Sequence, residues 1–364
     1  MVIEMIYTFI LYAILSFITV TLGTSGIKSK DGKSWLNILL LCTLLALVAA
    51  FRGETGTDSL PYRLIYENPS LYFTRNDVEI GYKLLMFVCN ELGLSFRALF
   101  FIMNFFTSFF AINAINEEKD NINIKVALLV FALDFYLFSF NIMRQMLAIS
   151  LCLWSFTKWN HNKRVCSLCG LILATLFHRV SIICLIIVIA RYLIRNRYYK
   201  FLILSTSAIG LYIVVNRELM KYIIGLLTNQ NQHYLLFVSE KLSTTGGAVG
   251  FLIKIMPIII FSILSLHRTE DKPDYRIYFG FMIFGYILSL AGEFTSSEVE
   301  RIGYYFSYCR ILMLGFVTEG DIKIGRWHFI QNQITTIVKL YLVIVFIYNF
   351  FIAGACMVVP YIPG

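Results

Sequence analysis

Apolar runs of about 15–22 residues recur along the whole chain and alternate with short segments that carry charge. A soluble domain does not alternate so regularly, so the pattern predicts an all-α, polytopic integral membrane protein, a single membrane domain over residues 1–364 with about twelve transmembrane helices. Several runs are shorter than the roughly 20 residues of a usual span, which predicts tilted or broken helices or a locally thinned bilayer. The predicted spans are 5–22, 35–51, 96–116, 125–140, 143–157, 165–178, 180–193, 201–216, 249–266, 277–292, 302–317 and 334–354.

Two segments between the predicted spans are long enough to fold outside the bilayer, namely residues 52–95 and 217–248. The first contains the stretch 81–94 (GYKLLMFVCNELGL), which is too short and too polar for a span and predicts an interfacial or re-entrant helix. The second ends near Gly246 and Gly247, a pair that fits either the hinge of a lid or the end of a plain loop.

The composition excludes an ordinary soluble domain, because 58% of the residues are hydrophobic, 15% are charged and the mean hydropathy is +0.73. The eight cysteines lie nearly all inside apolar runs, which favours small hydrophobic side chains over a metal site. Lysine and arginine are more frequent in one set of alternate loops, and this set is predicted to be cytoplasmic. Residues 52–95 and 217–248 belong to the other set, so they are predicted to be external (periplasmic), as are both termini. No basic stretch is interleaved with aromatic residues, so no nucleic-acid partner is expected.

The external ends of the predicted helices collect polar side chains from segments that are distant in sequence. Such groups are costly at membrane depth unless they are paired or functional. Each also has a purely structural interpretation: an arginine beside an apolar run reaches the interface, an aspartate before proline closes a turn, and neighbouring opposite charges form a local ion pair. The candidates are Arg52, Asp58, Arg144, Gln145, His178, Glu293, Glu298, Glu300, Arg301, Tyr304 and Tyr305.

This set of side chains suits a diphosphate substrate and the transfer of a proton. A guanidinium group binds phosphate oxygens in a bidentate way, and a carboxylate or a histidine accepts the proton of a sugar hydroxyl. The sequence contains no Walker A loop, no GxGxxG after a strand, no HExxH and no GxSxG. Neither a metal nor a cofactor is therefore expected, and an activated substrate must supply the driving force.

Four stretches of the chain form an ordered set: Phe51-Arg52 with Gly56-Thr57-Asp58 and Tyr62; Glu79-Ile80-Gly81-Tyr82; 142–148 (IMRQMLA); and 177–181 (FHRVS). In this order and at about this spacing they resemble the EpsG family, which is similar to the Wzy-type polymerases of bacterial O-antigens, capsules and exopolysaccharides. The resemblance covers residues 35–190 well and the remainder by hydropathy and by Arg301, and the ending VVPYIPG also resembles the family's C-terminus. Arg179 is a departure, because a small residue is more usual there.

The resemblance implies a polymerase of the bacterial inner membrane that acts at its outer face on repeat units linked to undecaprenyl diphosphate. The growing glycan would move from its lipid diphosphate to the next lipid-linked repeat unit, with the lipid bilayer and a chain-length regulator protein as partners. On this basis we expect Arg144 to act at the leaving diphosphate, and Asp58 or His178 to accept the proton. We expect the substrate to contact Arg52, Tyr62, Glu79, Gln145, Arg301 and Tyr305.

Two other functions stay open at this point. A flippase or transporter of lipid-linked oligosaccharide would place charges along a path through the membrane, whereas the candidates above lie at one face. Asp134, Lys254 and Arg310 are the charges deep within predicted spans, and we interpret them as structural pairs. An O-antigen ligase uses the same donor with a different acceptor, and the sequence discriminates poorly between ligase and polymerase.

Overall fold

The computed structural model describes residues 2–29, 34–70, 77–188, 212, 259–269, 272–294, 297–324 and 327–364. The predictions for 201–216 and for 217–248 with its two glycines therefore lie outside the described residues, residue 212 excepted. The same holds for Lys254.

Helices dominate the described residues and confirm the predicted helical class. A short antiparallel β-hairpin joins Ile322–Ile324 (β1) to Trp327–Phe329 (β2), in a segment that the sequence predicts as a plain connection. Numbered along the chain, the helices are α1 Val2–Lys28, α2 Ser34–Ala50, α3 Ser59–Glu67, α4 Ile80–Glu91, α5 Phe96–Glu117, α6 Ile124–Val130, α7 Met143–Asn160, α8 Arg164–Phe177, α9 Ile259–Thr269, α10 Arg276–Phe294, α11 Ser297–Ser307, α12 Arg310–Val317 and α13 Gln331–Phe346.

The chain divides into two compact units, the first formed by Met1–His178 with Thr335–Gly364 and the second by Arg179–Ile334. Each unit is described by itself. The single membrane domain predicted over residues 1–364 stays a prediction.

Three helical segments of the described residues are long and apolar enough to cross a bilayer: Val2–Lys28, Phe96–Glu117 and Gln331–Ile352. The last continues α13 through a π-helical turn, Ile347–Ile352. Further apolar helices, α2 and α8 among them, are shorter. The membrane character of the chain is therefore confirmed, while the predicted number of about twelve spans stays a prediction.

Two predicted spans are broken in the structure. Residues 125–140 form α6 only as far as Val130, and a π-helical turn (Phe131–Phe135) and a 3₁₀ turn (Tyr136–Phe140) follow. The Tyr136 hydroxyl donates to the carbonyl of Leu45 at 2.7 Å, so this irregular segment is bonded to α2. Residues 302–317 likewise divide into α11 and α12. Hydropathy does not record where the helix over residues 125–140 breaks, because residues 126–133 on both sides of Val130 are all apolar.

The core of the first unit forms around α5, which packs against α2 and α7. Asn104, buried on α5, is bonded within the protein, as apolar surroundings require. Asn104 donates to the carbonyl of Phe100 at 2.9 Å and accepts from Ser139 at 2.6 Å. At the C-terminal end of α5, Glu117 pairs with Lys158 of α7 and lies 3.1 Å from Lys163. These contacts fix α5 and α7 relative to each other. Arg144 and Gln145 lie at the opposite end of α7, in its first turn.

In the second unit α10 and α11 pack with their backbones close together. A Cβ atom added to Gly303 would lie 2.7 Å from the carbonyl oxygen of Gly285, so neither position has room for a side chain. Such close approach through small residues is typical of helix pairs in membranes.

Candidate functional site

The segment that follows α2, residues 51–58, is called the first loop. Two of its glycines have positive φ, +55° at Gly53 and +96° at Gly56, a conformation that glycine adopts without strain. A Cβ atom on Gly53 would also lie 2.6 Å from the carbonyl oxygen of Ile362, so the C-terminal segment of the chain passes directly over this loop.

The C-terminal segment, residues 356–364, is hydrogen-bonded to the first loop along its length. The Ile362 N–H donates to the Thr55 hydroxyl at 2.8 Å, the Gly364 N–H to the Phe51 carbonyl at 3.0 Å and the Gly56 N–H to the Met357 carbonyl at 3.1 Å. These bonds hold the loop in one conformation between the end of α2 and the C-terminal segment.

Helices α1 and α2 in turn hold the C-terminal segment. The Tyr361 N–H donates to the Thr8 hydroxyl at 2.8 Å, and the Tyr361 hydroxyl donates to the Val48 carbonyl at 2.9 Å. The Tyr12 hydroxyl donates to the Val358 carbonyl at 2.6 Å. The first loop therefore rests on contacts between segments that are more than 300 residues apart, such as Tyr12 with Val358 at a separation of 346.

Arg52 belongs to the first loop, and its side chain is completely buried. Its guanidinium donates to the Ala49 carbonyl at 2.8 Å and to the Ser59 hydroxyl at 3.1 Å, and its carbon atom lies 4.3 Å and 5.3 Å from the ring centres of Phe100 and Phe140. One terminal nitrogen has no hydrogen-bond partner. Burial lowers the pKa of Arg52 to about 10, which leaves the group cationic at neutral pH.

Asp58 lies half-buried at the other end of the first loop, directly before α3. Its side chain does not cap α3, so the expected closed Asx-type turn is not formed there. Instead its backbone N–H donates to Oδ1 of Asn141 at 2.9 Å, and the neighbouring Thr57 hydroxyl bonds to the same oxygen. Asn141 precedes α7 by two residues, so it fixes the Asp58 end of the loop next to the first turn of that helix.

That first turn carries Arg144, which pairs with Glu79 at the start of α4. The same terminal nitrogen of Arg144 donates to the carbonyl of Asp77 at 3.1 Å, whereas Nε is buried without an acceptor. Two buried tyrosines complete the surroundings: the guanidinium carbon lies 5.8 Å from the ring centre of Tyr62 and 5.6 Å from that of Tyr82. The hydroxyl of Tyr82 is also buried without a partner.

Aromatic rings connect the two arginines. Phe100 contacts Arg52, and its ring centre lies 6.5 Å from that of Tyr62, which contacts Arg144. Tyr62 and Tyr82 lie 5.9 Å apart in an edge-on arrangement. Arg52, Tyr62, Glu79 and Arg144 thus lie in one cluster, and together with Tyr82 they are called the arginine–tyrosine cluster.

Gln145 is buried next to Arg144, and His178 lies half-buried immediately after α8. The ends of α4 and α8 pack closely, because a Cβ atom on Gly81 would lie 2.7 Å from the carbonyl oxygen of Leu176. His178 therefore lies near the end of α4 from which Glu79 reaches Arg144. The residues next to it form a 3₁₀ helix, Arg179–Ile186, where the sequence predicts the start of a regular span.

The family model described as "EpsG family" matches residues 35–362. The chain belongs to the EpsG family. A comparison with curated proteins and one with solved structures give no match. The family match extends beyond the resemblance over residues 35–190 and includes the C-terminal segment that covers the first loop.

The EpsG family is a Wzy-like polymerase family, so a role of the polysaccharide-polymerase type follows from membership. Its membrane character agrees with the long apolar helices. Within the described residues no group of three or more His, Cys, Asp or Glu side chains is arranged to hold a metal ion.

The candidate residues of the second unit lie on α11, except Glu293, which lies near the end of α10. Arg301 is 4.0 Å from the carboxylate of Glu298, and the Tyr304 hydroxyl donates to Glu300 at 2.9 Å. Tyr305 is buried in its own unit. The local ion pair expected as the structural interpretation of this segment is thus present.

Sequence reasoning missed three residues that shape the site of this EpsG protein. Asn141 fixes the Asp58 end of the first loop, Ser59 accepts from Arg52, and Tyr82 lies against Arg144. Asn141 directly precedes the motif 142–148, and Tyr82 closes the motif 79–82, so their positions beside or within the motifs are the signal that was available. Ser59 gives no such signal, because a serine at a helix start is usual.

Proposed function

We propose that this EpsG protein is a membrane glycosyltransferase that polymerises a bacterial polysaccharide. It transfers the growing glycan from undecaprenyl diphosphate to the next repeat unit, itself linked to undecaprenyl diphosphate, at the outer face of the inner membrane. The observation that carries the proposal is the arginine–tyrosine cluster, where Arg144 follows by three residues Asn141, whose side chain accepts from the backbone N–H of Asp58. Family membership supports the reaction class.

The reaction needs a nucleophile, a base and a stabilised leaving group. A hydroxyl oxygen of the acceptor sugar forms a bond to the anomeric carbon of the donor, the bond from that carbon to phosphate oxygen breaks, and its electron pair leaves with the diphosphate. The acceptor proton goes to Asp58 or His178, both of which are half-buried. Because the glycosyl–phosphate bond is activated, no nucleotide or other cofactor is required.

Within this proposal Arg144 stabilises the leaving diphosphate, whose charge grows as the bond breaks. A guanidinium binds two phosphate oxygens at once, and Arg144 has a buried Nε without an acceptor. Tyr62 and Gln145 orient the sugars.

Arg52 takes a different role from the one expected. Its complete burial leaves no surface for a substrate to reach, so it acts by holding the first loop rather than by binding the diphosphate. The prediction that Arg52 contacts substrate is replaced by a positioning role.

In this function the chain crosses the bilayer about twelve times and the first loop is external. Its partners are the lipid bilayer and a chain-length regulator protein. A single cysteine at Ser70 or Gln232, in a background without native cysteines, should react with an impermeant thiol reagent in spheroplasts. A cysteine at Ser29 or Lys272 should react only after permeabilisation. The reverse pattern would place the cluster on the cytoplasmic side and would end the proposal.

The direct test is polymerisation by purified protein from lipid-linked repeat units, read as a ladder of glycan lengths on a gel.

The matching test in cells is deletion of the gene. Loss of the ladder with one repeat unit still attached supports a polymerase. Loss of every attached unit would instead indicate a ligase or a flippase.

A further inference from the structure

Arg144 already has an anion at its guanidinium in the free protein. One terminal nitrogen donates both to the carboxylate of Glu79 and to the carbonyl of Asp77. The side chains of Arg144 and Glu79 are only 17% and 9% exposed, so this pair is shielded from solvent. A buried arginine without a counter-anion is unfavourable, and Glu79 supplies that counter-anion to Arg144.

The pair leaves part of the guanidinium unused. In the pair with Glu79, Arg144 uses a single terminal nitrogen, while Nε is buried without an acceptor. A guanidinium that meets a phosphate through two parallel N–H bonds would use more of its donors than this pair does. The Glu79 contact is therefore replaceable by a ligand with more acceptor oxygens.

The start of α4 offers the carboxylate of Glu79 a second stabilised position. Glu79 is the N-cap residue of α4, with backbone angles φ −72° and ψ 153°, and its side chain does not cap the helix. A carboxylate at this position is stabilised by the free N–H groups and the dipole of the first helical turn. Two positions are thus available to the same side chain, one on Arg144 and one on α4.

We propose that Glu79 is an exchangeable counter-anion of Arg144, displaced when a lipid diphosphate binds and restored when the product diphosphate leaves. This inference rests on the proposed function and adds to it a device for product release. Because Glu79 competes with the diphosphate for one guanidinium, it lowers the affinity for donor and for product alike. Removing the competitor strengthens binding and slows the release of undecaprenyl diphosphate.

The experiment measures binding of undecaprenyl diphosphate to the full chain in nanodiscs, together with single-turnover and multiple-turnover polymerisation. For Glu79→Gln we expect binding to be tightened about tenfold, the factor that corresponds to 1.4 kcal/mol. Multiple turnover should slow by a larger factor than the single-turnover rate, because only multiple turnover requires release of undecaprenyl diphosphate. In an Arg144→Gln background the same substitution should no longer tighten binding.

The chain offers a matched control in the Arg63–Glu67 pair, which joins α3 residues at 2.8 Å with side chains 47% and 41% exposed. Exposed pairs contribute little, so Glu67→Gln should change neither binding nor turnover. If Glu79→Gln does not fold, Glu79→Asp is measured instead. Its shorter side chain weakens the pair, and we expect a gain of about two- to threefold in affinity.

A folded Glu79→Gln protein with unchanged or weaker binding would overturn the inference and leave Glu79 as a structural partner of Arg144. Unchanged or weaker binding by Glu79→Asp would have the same consequence. If the unmodified protein does not bind undecaprenyl diphosphate at all, the proposed function itself fails and the inference fails with it. The two failures are therefore distinguishable.

Discussion

Two arginines of the same unit carry the same charge in opposite surroundings. Arg52 is enclosed by a backbone carbonyl, a hydroxyl and two phenylalanine rings, and in the described part of the chain it forms no ion pair. Arg144 is less deeply enclosed and is paired with a carboxylate. A charge that the fold itself satisfies holds structure, whereas a charge with a replaceable counter-anion is suited to a charged substrate.

The first loop repeats this difference over a few residues. The C-terminal segment bonds to the loop from Phe51 to Thr57, but the Arg52 side chain is completely buried, whereas Asp58 is half-buried and its N–H donates to Asn141. Chemistry is therefore expected at the Asp58 end and mechanical support at the Arg52 end.

The largest expected effect tests which group at the accessible end accepts the proton. Asp58→Asn and His178→Gln keep size and hydrogen bonding but remove basicity. The variant that lacks the true base should polymerise about 10²–10⁴-fold more slowly, with donor binding retained. We expect Asp58→Asn to be the more damaging, because the first loop presents Asp58 beside the helix that carries Arg144.

The readout is the length of glycan made from lipid-linked repeat units, with donor binding measured separately. Near-normal rates in both variants would show that neither residue is the base. Poor donor binding in both would give them a role in holding structure or substrate.

Arg144→Lys comes next, with an expected loss of about 10²–10³-fold in polymerisation at normal abundance in the membrane. Lysine keeps the charge but not the planar fork that binds two phosphate oxygens. The exposed Arg63 provides the control, because Arg63→Lys should polymerise normally. A fully active Arg144→Lys protein would refute the bidentate role and leave only a requirement for positive charge.

Arg52→Met should show the opposite profile. The substitution removes two hydrogen bonds from a charged donor and two ring contacts, and the Ala49 carbonyl loses a partner. We expect a loss of about 3 kcal/mol in stability, seen as a lower midpoint of thermal unfolding in detergent. Turnover per folded molecule should fall less than tenfold. A stable Arg52→Met protein with no polymerase activity would reverse the comparison and return Arg52 to the substrate.

The sequence was sufficient to predict much of the helical framework, because an apolar run and its polar ends follow directly from hydropathy. Thus α2 and α5 begin and end within one residue of the predicted spans 35–51 and 96–116. The break at Phe131–Phe140 was not predictable, since every residue from 126 to 133 is apolar and only hydrogen bonding interrupts the helix there.

The same limit applies to the candidate site. Composition and motifs indicated that Arg52, Asp58 and Arg144 lie together. They could not show that Arg52 is completely buried whereas Arg144 forms an ion pair. That difference depends on contacts between residues far apart in sequence, such as Glu79 with Arg144 at a separation of 65 and Thr55 with the C-terminal segment at 307. Pairings of this kind leave no local pattern in the chain.

The smallest effect is expected where the C-terminal segment contacts the end of α2 beside Arg52. Tyr361→Phe removes only the hydroxyl that donates to the Val48 carbonyl at 2.9 Å, while the backbone bond to Thr8 remains. The expected loss is about 1 kcal/mol of stability, with turnover nearly unchanged. Tyr7→Phe is the control, because Tyr7 is exposed on α1 and its hydroxyl has no bond to lose among the described residues. The comparison between the two ends of the loop requires that Tyr361→Phe act on the unfolding midpoint and not on polymer length. A shift of polymer length with an unchanged midpoint would mean that the C-terminal segment takes part in the reaction, and the division between a supporting end and a reactive end would have to be abandoned.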